Sequence, residues 1–188
     1  MPTKRELVLD AAIEVLGSRG PRALTHRAVD EAATMASGST SNYFRTREAL
    51  LIGISERLEE RDYSDWETLS RMPIPATLDQ LIDTLAGLVG HFAGADRTRT
   101  LARYALILEA QTAPPIQQSI QRGHQRLTDW GTVMLRNIDP RADVAQLLVD
   151  YMDGAVMHQL YSPATEFDPR PALDRLARAL LPQPHTSS

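Results

Sequence analysis

Between Thr25 and Leu51 the chain reads THRAVDEAATMASGSTSNYFRTREALL. Its chemistry lies in small hydroxyls, an amide and scattered cations, with no paired carboxylates or metal ligands. Ser37, Ser39, Thr40, Ser41 and Asn42 follow one another with almost no bulky apolar residue before Phe44. Short donors and acceptors of this kind suit close approach to a phosphate backbone and to base edges. Just beyond, Thr46 is placed to cap a helix that opens with Arg47 and Glu48. The free N–H groups and the positive end of the macrodipole at such a start favour an anion.

These residues must be positioned by something else, because a helix built from Ser, Gly, Thr and Asn has poor intrinsic propensity. Thr25 is an N-cap for a preceding short helix whose apolar face is Ala28, Val29, Ala32 and Ala33. Residues 34–36 leave room only for a sharp turn before a second short helix over residues 37–43. The helix that starts at Thr46 is predicted to run to about Ser70. It carries Leu50, Ile54 and Leu58 toward the head and Tyr63, Trp66 and Leu69 further along, until Pro73 and Pro75 end it. At ~1.5 Å per residue it would be roughly 36 Å long, enough to join a head to a separate body.

Thr25, Arg27, Val29, Ala33, Gly38-Ser39, Tyr43-Phe44, Arg47-Glu48 and Leu50 stand in the order and spacing of a known DNA-binding domain. The stretch resembles the head of the TetR-type (tetracycline-repressor-like) regulators, and GSTSNYFRTREALL is similar to one branch of that family. The resemblance covers roughly the first third of the chain. It implies that Thr25 and Arg27 contact the DNA backbone, that Ser37, Ser39, Thr40 and Asn42 are groove contacts, and that Tyr43 and Arg47 anchor phosphates. Phe44, Val29 and Leu50 are then core residues. It further implies a ligand-responsive repressor that binds a palindromic double-stranded operator as a homodimer and answers to a small-molecule effector of unknown identity.

Two residues depart from the family pattern. Thr34 stands at the turn where the family usually has Gly, and a β-branched residue is strained there if φ is positive. Either the turn differs locally or the strain is tolerated. Ser41 stands where many members carry a DNA-contacting Tyr, so base specificity is not carried over.

The rest of the chain reads as helices. Thr3 and Glu6 form a capping box for a first helix with Leu7, Val8, Ala11, Ala12, Val15 and Leu16 at helical spacing, ended by Gly20-Pro21. Leu78, Leu81, Ile82, Leu85, Leu88, Val89 and Phe92 mark a core helix. Asp96 is placed to cap another, which ends before Pro114-Pro115 and is followed by a helix with Ile116, Ile120, Leu127, Trp130 and Met134. Pro140 opens a further helix to about Ser162, and Pro171 to Leu181 form the last. In the resembling family the last two helices make a four-helix dimer interface, which would set two reading helices about 34 Å apart. The fold expected is all-α with roughly nine helices: a three-helix helix-turn-helix head over residues 1–52, a helical bundle for ligand binding and dimerisation over residues 53–182, and a disordered tail over residues 183–188.

The 188 residues suffice for a small domain joined to a larger one, and 43% hydrophobic residues mark a globular chain. The net charge of −4 hides an asymmetry: residues 1–50 carry seven Lys or Arg against six Asp or Glu, the remainder thirteen against eighteen. No apolar run is long enough to span a bilayer, and the start lacks a secretory pattern, so the cytoplasm is the expected location. The absence of cysteine excludes disulfides and thiolate chemistry. His91, His124 and His158 show no paired metal-ligand spacing, and neither a metal nor a cofactor is expected. Tyr104, Glu109, Trp130, Met134, Met152 and Met157 are pocket-lining types, but Met and aromatic residues at helical spacing more often fill cores, and Glu109, which has Arg103 nearby to pair with or could meet a polar ligand group, is by default a surface acid. Two other classes compete. Against a helical enzyme stand the missing glycine-rich nucleotide loop, GxSxG elbow and metal cluster. Against a protein-binding adaptor stand the local basic balance between Arg19 and Arg47 and the presence of Tyr43 and Arg47.

Overall fold

The computed structural model describes residues 2–69, 71, 73–140 and 142–181. Among these residues the chain forms nine α-helices and two short 3₁₀ turns. They are α1 (Lys4–Arg19), α2 (His26–Ala32), α3 (Ser39–Tyr43), α4 (Arg47–Leu69), α5 (Leu78–Ala93), α6 (Arg97–Glu109), α7 (Pro114–Ile138), α8 (Ala145–Tyr161) and α9 (Arg170–Leu180). The tail expected to be disordered lies outside the described residues, as do Ser70 and the side chains of Trp66 and Leu69.

Two compact units emerge. One comprises Met1–Arg71 with Asp96–Gly123, and the other Met72–Ala95 with His124–Ser188. Packing therefore adds α6 and the first part of α7 to the helix-turn-helix segment. In the first unit, α1 is buried on several sides by α2, α4 and α6. Its apolar face is accordingly wider than a single stripe: Leu9 and Ile13 join Val8, Ala12, Val15 and Leu16 inside, while Leu7 turns outward at 42% exposure. The Thr3–Glu6 capping box is present. Gly17 sits where α1 meets α6, and a Cβ there would fall 1.9 Å from the Thr98 carbonyl oxygen. Only a glycine allows the two backbones to approach so closely.

α4 spans roughly 34 Å at ~1.5 Å per residue. Its inner residues Leu50, Leu51, Ile54 and Leu58 enter the core of the first unit. Gly53 lets the Phe44 ring lie against the helix, since a Cβ there would stand 2.6 Å from that ring. Further along, Glu59, Asp62 and Asp65 recur every third residue and so share a face. They meet Arg122 of α7 and Arg103 and Arg99 of α6. Asp96 does cap α6 in position, yet its carboxylate bonds Arg99 and Arg103 and leaves the helix N–H groups alone. On the opposite side Arg57 of α4 bonds Asp10 of α1 at 2.9 Å. The long helix is thus fixed laterally by charge as well as by its apolar stripe.

The second unit packs α5 against α8 and α9 around Leu81, Ile82, Leu85, Leu148, Met152 and Leu173. α8 begins at Ala145, five residues after the Pro140 start expected for it. After Ile138 the chain turns, with the Ala142 amide donating to the Asp139 carbonyl at 2.9 Å, so Pro140 belongs to a loop.

The local order of the helix-turn-helix rests on three features. Thr25 caps α2, its hydroxyl accepting from the Ala28 amide at 3.1 Å. α2 then ends in a Schellman arrangement, in which the Met35 amide donates to the Asp30 carbonyl and the Thr34 amide to the Glu31 carbonyl. Thr34 occupies the left-handed position with φ 55°, so of the two alternatives the strain is tolerated, and it falls on a β-branched side chain. Finally, the buried carboxylate of Asp30, 4% exposed, accepts from the Gly38 amide (2.7 Å), the Thr40 amide (2.7 Å) and the Thr40 hydroxyl (2.6 Å). It holds the first turn of α3 from across the bend. Burial alone raises the pKa of this carboxyl, but the Thr40 and Gly38 hydrogen bonds outweigh it and hold it below the ordinary 3.8.

Two outcomes follow from this turn. Thr34→Gly relieves the left-handed strain and stabilises the fold by about 1 kcal/mol in denaturant unfolding. Asp30→Ala strands buried donors and costs about 3 kcal/mol. Because the folded-state pKa of Asp30 is lowered, its contribution is complete above pH 3.8 and is lost as the pH falls through the lowered value. The stability gap between native protein and Asp30→Ala is therefore constant near neutrality and closes in acid. A gap that does not change with acidity would exclude the carboxylate as its source.

Candidate nucleic-acid interface

α3 is five residues long, too short to stand alone, and it starts at Ser39, two residues after its expected start. Gly38 is its N-cap. α2 secures it at both ends. Asp30 holds the start, and the His26 Nε2–H donates to the Phe44 carbonyl at 2.6 Å beyond the finish. Phe44, 5% exposed, plugs the core below and lies under the Arg5 guanidinium, 5.3 Å from the ring centroid.

With those inward groups fixed, the outward ones are defined. Ser37, Ser41, Asn42 and Tyr43 are exposed, and Ser39 is half-buried. The Ser39 hydroxyl donates to the Ala36 carbonyl at 2.6 Å and the Ser41 hydroxyl to the Gly38 carbonyl at 2.8 Å. Both still have oxygen lone pairs to offer an outside donor. Thr25 and Arg27 are exposed at the start of α2.

Thr40 differs from the groove-contact role expected of it. It is 0% exposed, and its hydroxyl and amide both donate to Asp30. At four residues before Phe44 it shares the inward face of α3, so it is a bolt inside the head and does not reach a groove.

Thr46 caps α4, its hydroxyl accepting from the Ala49 amide at 3.1 Å. Arg47 follows with its side chain 45% exposed, and its fork engages Glu109, the last residue of α6, through Nη1–Oε2 at 3.1 Å and Nη2–Oε1 at 2.8 Å. The hydrogen bonds to Glu109 raise the pKa of Arg47 further, and those from Arg47 lower that of Glu109, so both are charged at neutral pH. Arg22 and Arg45 are also exposed cations of this segment. Arg45 escaped the sequence reading although it stands between the Tyr43-Phe44 pair and Arg47. Asp30 and His26 escaped it because their partners lie 10 and 18 residues away, across the turn. No local spacing rule encodes that.

In the second unit, Leu81, Leu85, Leu127, Trp130, Leu148 and Met152 border an apolar seam between α5, α7 and α8 with about 10 Å³ open to a water-sized sphere. Of the other pocket-type residues, Met157 is 48% exposed and Met134 is 6% exposed. Among the described residues no cluster of three His, Cys, Asp or Glu side chains is arranged to hold a metal, and no helix is long and apolar enough to cross a membrane.

Comparison with known proteins accords with this geometry. No curated protein matches the chain. Among solved structures, the multidrug binding protein EbrR, crystallised with imidazole, is 27% identical with a TM-score of 0.64, over 100% of this chain and 100% of that one. A TetR-family member from Streptomyces coelicolor A3 is 26% identical with a TM-score of 0.67, over 97% and 100% of the two chains. A transcriptional regulator from Rhodococcus sp. Rha1 is 20% identical with a TM-score of 0.75, over 95% and 96%, and at that identity attests the fold alone. The description "Bacterial regulatory proteins, tetR family" matches residues 8–54. "Tetracyclin repressor-like, C-terminal domain" matches residues 76–183, more than half of the chain. The family is one of regulators and not of enzymes, and the chain belongs to it: it is a TetR-family, helix-turn-helix DNA-binding transcriptional regulator.

Proposed function

We propose that the protein is a ligand-responsive repressor that binds a palindromic operator as a homodimer in the cytoplasm. The observation that carries this reading is the division of residues 37–44, α3 and its flanks, into inward side chains, Thr40 and Phe44, and outward ones, Ser37, Ser41, Asn42 and Tyr43. The small side chains of such an outward face suit close approach to a groove, where its hydroxyls and amide read base edges permissively. Thr25, Arg27, Tyr43 and Arg47 position it on the phosphates, while Ser37, Ser39 and Asn42 face the bases. Much of the selectivity then rests on phosphate placement and DNA shape.

The dimer reading is supported by α8. Leu147 at 55%, Met157 at 48% and Tyr161 at 66% exposure lie with Gly154 on one outward stripe. Helix-interior glycine costs about 1 kcal/mol relative to alanine, and a Cβ at Gly154 would meet no other part of the chain within 4 Å beyond its own helix backbone. A second α8 crossing there gives the glycine a packing reason, and twofold symmetry presents two copies of α3 to successive half-sites.

The effector reading draws on the apolar seam and on EbrR, which has been crystallised with ethidium, proflavin and malachite green. The lining around Trp130 favours an apolar, aromatic molecule, and so small a seam must widen to admit one.

Selection of genomic fragments by the purified protein, followed by a screen for compounds that release the enriched fragment, tests the whole reading. No enrichment would sink it. On the selected duplex, Asn42→Ala changes the ranking among sequence variants. Arg47→Ala weakens all of them alike and lowers the salt slope by about one. Leu147→Asp combined with Tyr161→Asp yields a monomer by analytical ultracentrifugation and loses tight operator binding. An intact dimer would remove α8 from the interface.

A further inference from the structure

Arg47 and Glu109 are 62 positions apart in sequence, yet they form a two-pronged pair between the first residue of α4 and the last of α6. A carboxylate and a phosphate each offer two oxygens that the planar fork of a guanidinium can bind side by side. One fork cannot serve both acceptors at full strength. The side chains are 45% and 30% exposed, so the pair lies at a surface that a duplex can approach.

We propose that Glu109 is an internal competitor of DNA: its carboxylate occupies the Arg47 fork in the free protein, and a backbone phosphate takes its place on binding. The inference rests on Arg47 being a phosphate anchor. It assigns to Glu109 a role in setting DNA affinity without touching DNA. A partly exposed ion pair is weak enough to be exchanged. The duplex, with its dense phosphates and releasable counterions, supplies the stronger field. By linkage, DNA binding loosens the hold of α6 on the start of α4, and any arrangement of α6 that tightens the pair lowers DNA affinity by the same factor.

The test uses the full-length protein and a fluorescent mixed-sequence duplex at low salt, with Glu109→Gln, Arg47→Gln and the double variant compared with the native protein. Matching circular dichroism melting curves verify that each variant is folded. Glu109→Gln is expected to bind roughly two- to fivefold more tightly, the range a partly exposed pair allows. Arg47→Gln is expected to bind more weakly, and Glu109→Gln to add nothing in that background. Unchanged or weakened binding by Glu109→Gln overturns the proposal, because the carboxylate would then be a strut that orients Arg47 for DNA. An equal gain in both backgrounds also overturns it, since removal of a negative charge at a distance would suffice. If Arg47→Gln alone binds as tightly as native, the anchor fails and the competitor with it, an outcome separable from a failure at Glu109.

Discussion

The carboxylate of Asp30 is the interaction on which the reading head depends. α3 has five residues of low helix propensity and cannot form by itself. Its N-terminal amides point at Asp30, which accepts from Gly38 and Thr40 while lying 96% out of solvent. A buried anion is normally disfavoured, but three charge-assisted hydrogen bonds and the positive end of α3 suit it to this place. His26 then holds the far end of α3 through the Phe44 carbonyl. Everything that α3 presents outward follows from these two attachments, because they fix which face is in.

That head is continuous with α4, and α4 is fixed by a different kind of force. Among its described residues the buried apolar side chains run to Leu58, and beyond it Glu59, Asp62 and Asp65 make contact with Arg122, Arg103 and Arg99. Apolar packing is close to all-or-none, whereas partly exposed ion pairs exchange partners at little cost. The first unit thus combines a rigid core around α1 with a polar seam along α4 and α6. Gly17 holds the α6 start against α1 by backbone approach, and the Arg47–Glu109 pair holds its end by charge.

What could be read in the sequence was what local rules encode. The caps at Thr3, Thr25 and Thr46 are found where expected, since each depends on a residue only three positions away. The apolar period placed the helix α5 from Leu78 onward, whereas the sequence left two alternatives open at Thr34, of which the structure takes the positive φ. Failures came where a residue's partner is remote. Thr40 looked like one hydroxyl among several, and nothing near it in sequence reveals Asp30. Glu109 looked like a surface acid with Arg103 nearby, and its bond to Arg47 spans two helices. Pro140 looked like a helix start because proline favours first turns, yet proline serves loops equally well.

The short hydroxyls of α3 explain why such attachments are needed. A long Arg or Gln side chain can search for a base edge and tolerate an error in its backbone position. Ser37 and Asn42, in the groove-facing role proposed for them, cannot, because their donors extend little beyond the backbone. A reading surface of that type works only if the backbone is already in place when DNA arrives. An α3 that ordered only on binding would lose affinity in proportion to its folded fraction. Asp30 and His26 remove that loss before binding. The strained Thr34 is tolerated for the same reason, since the turn it completes brings the Gly38 and Thr40 amides within reach of one carboxylate.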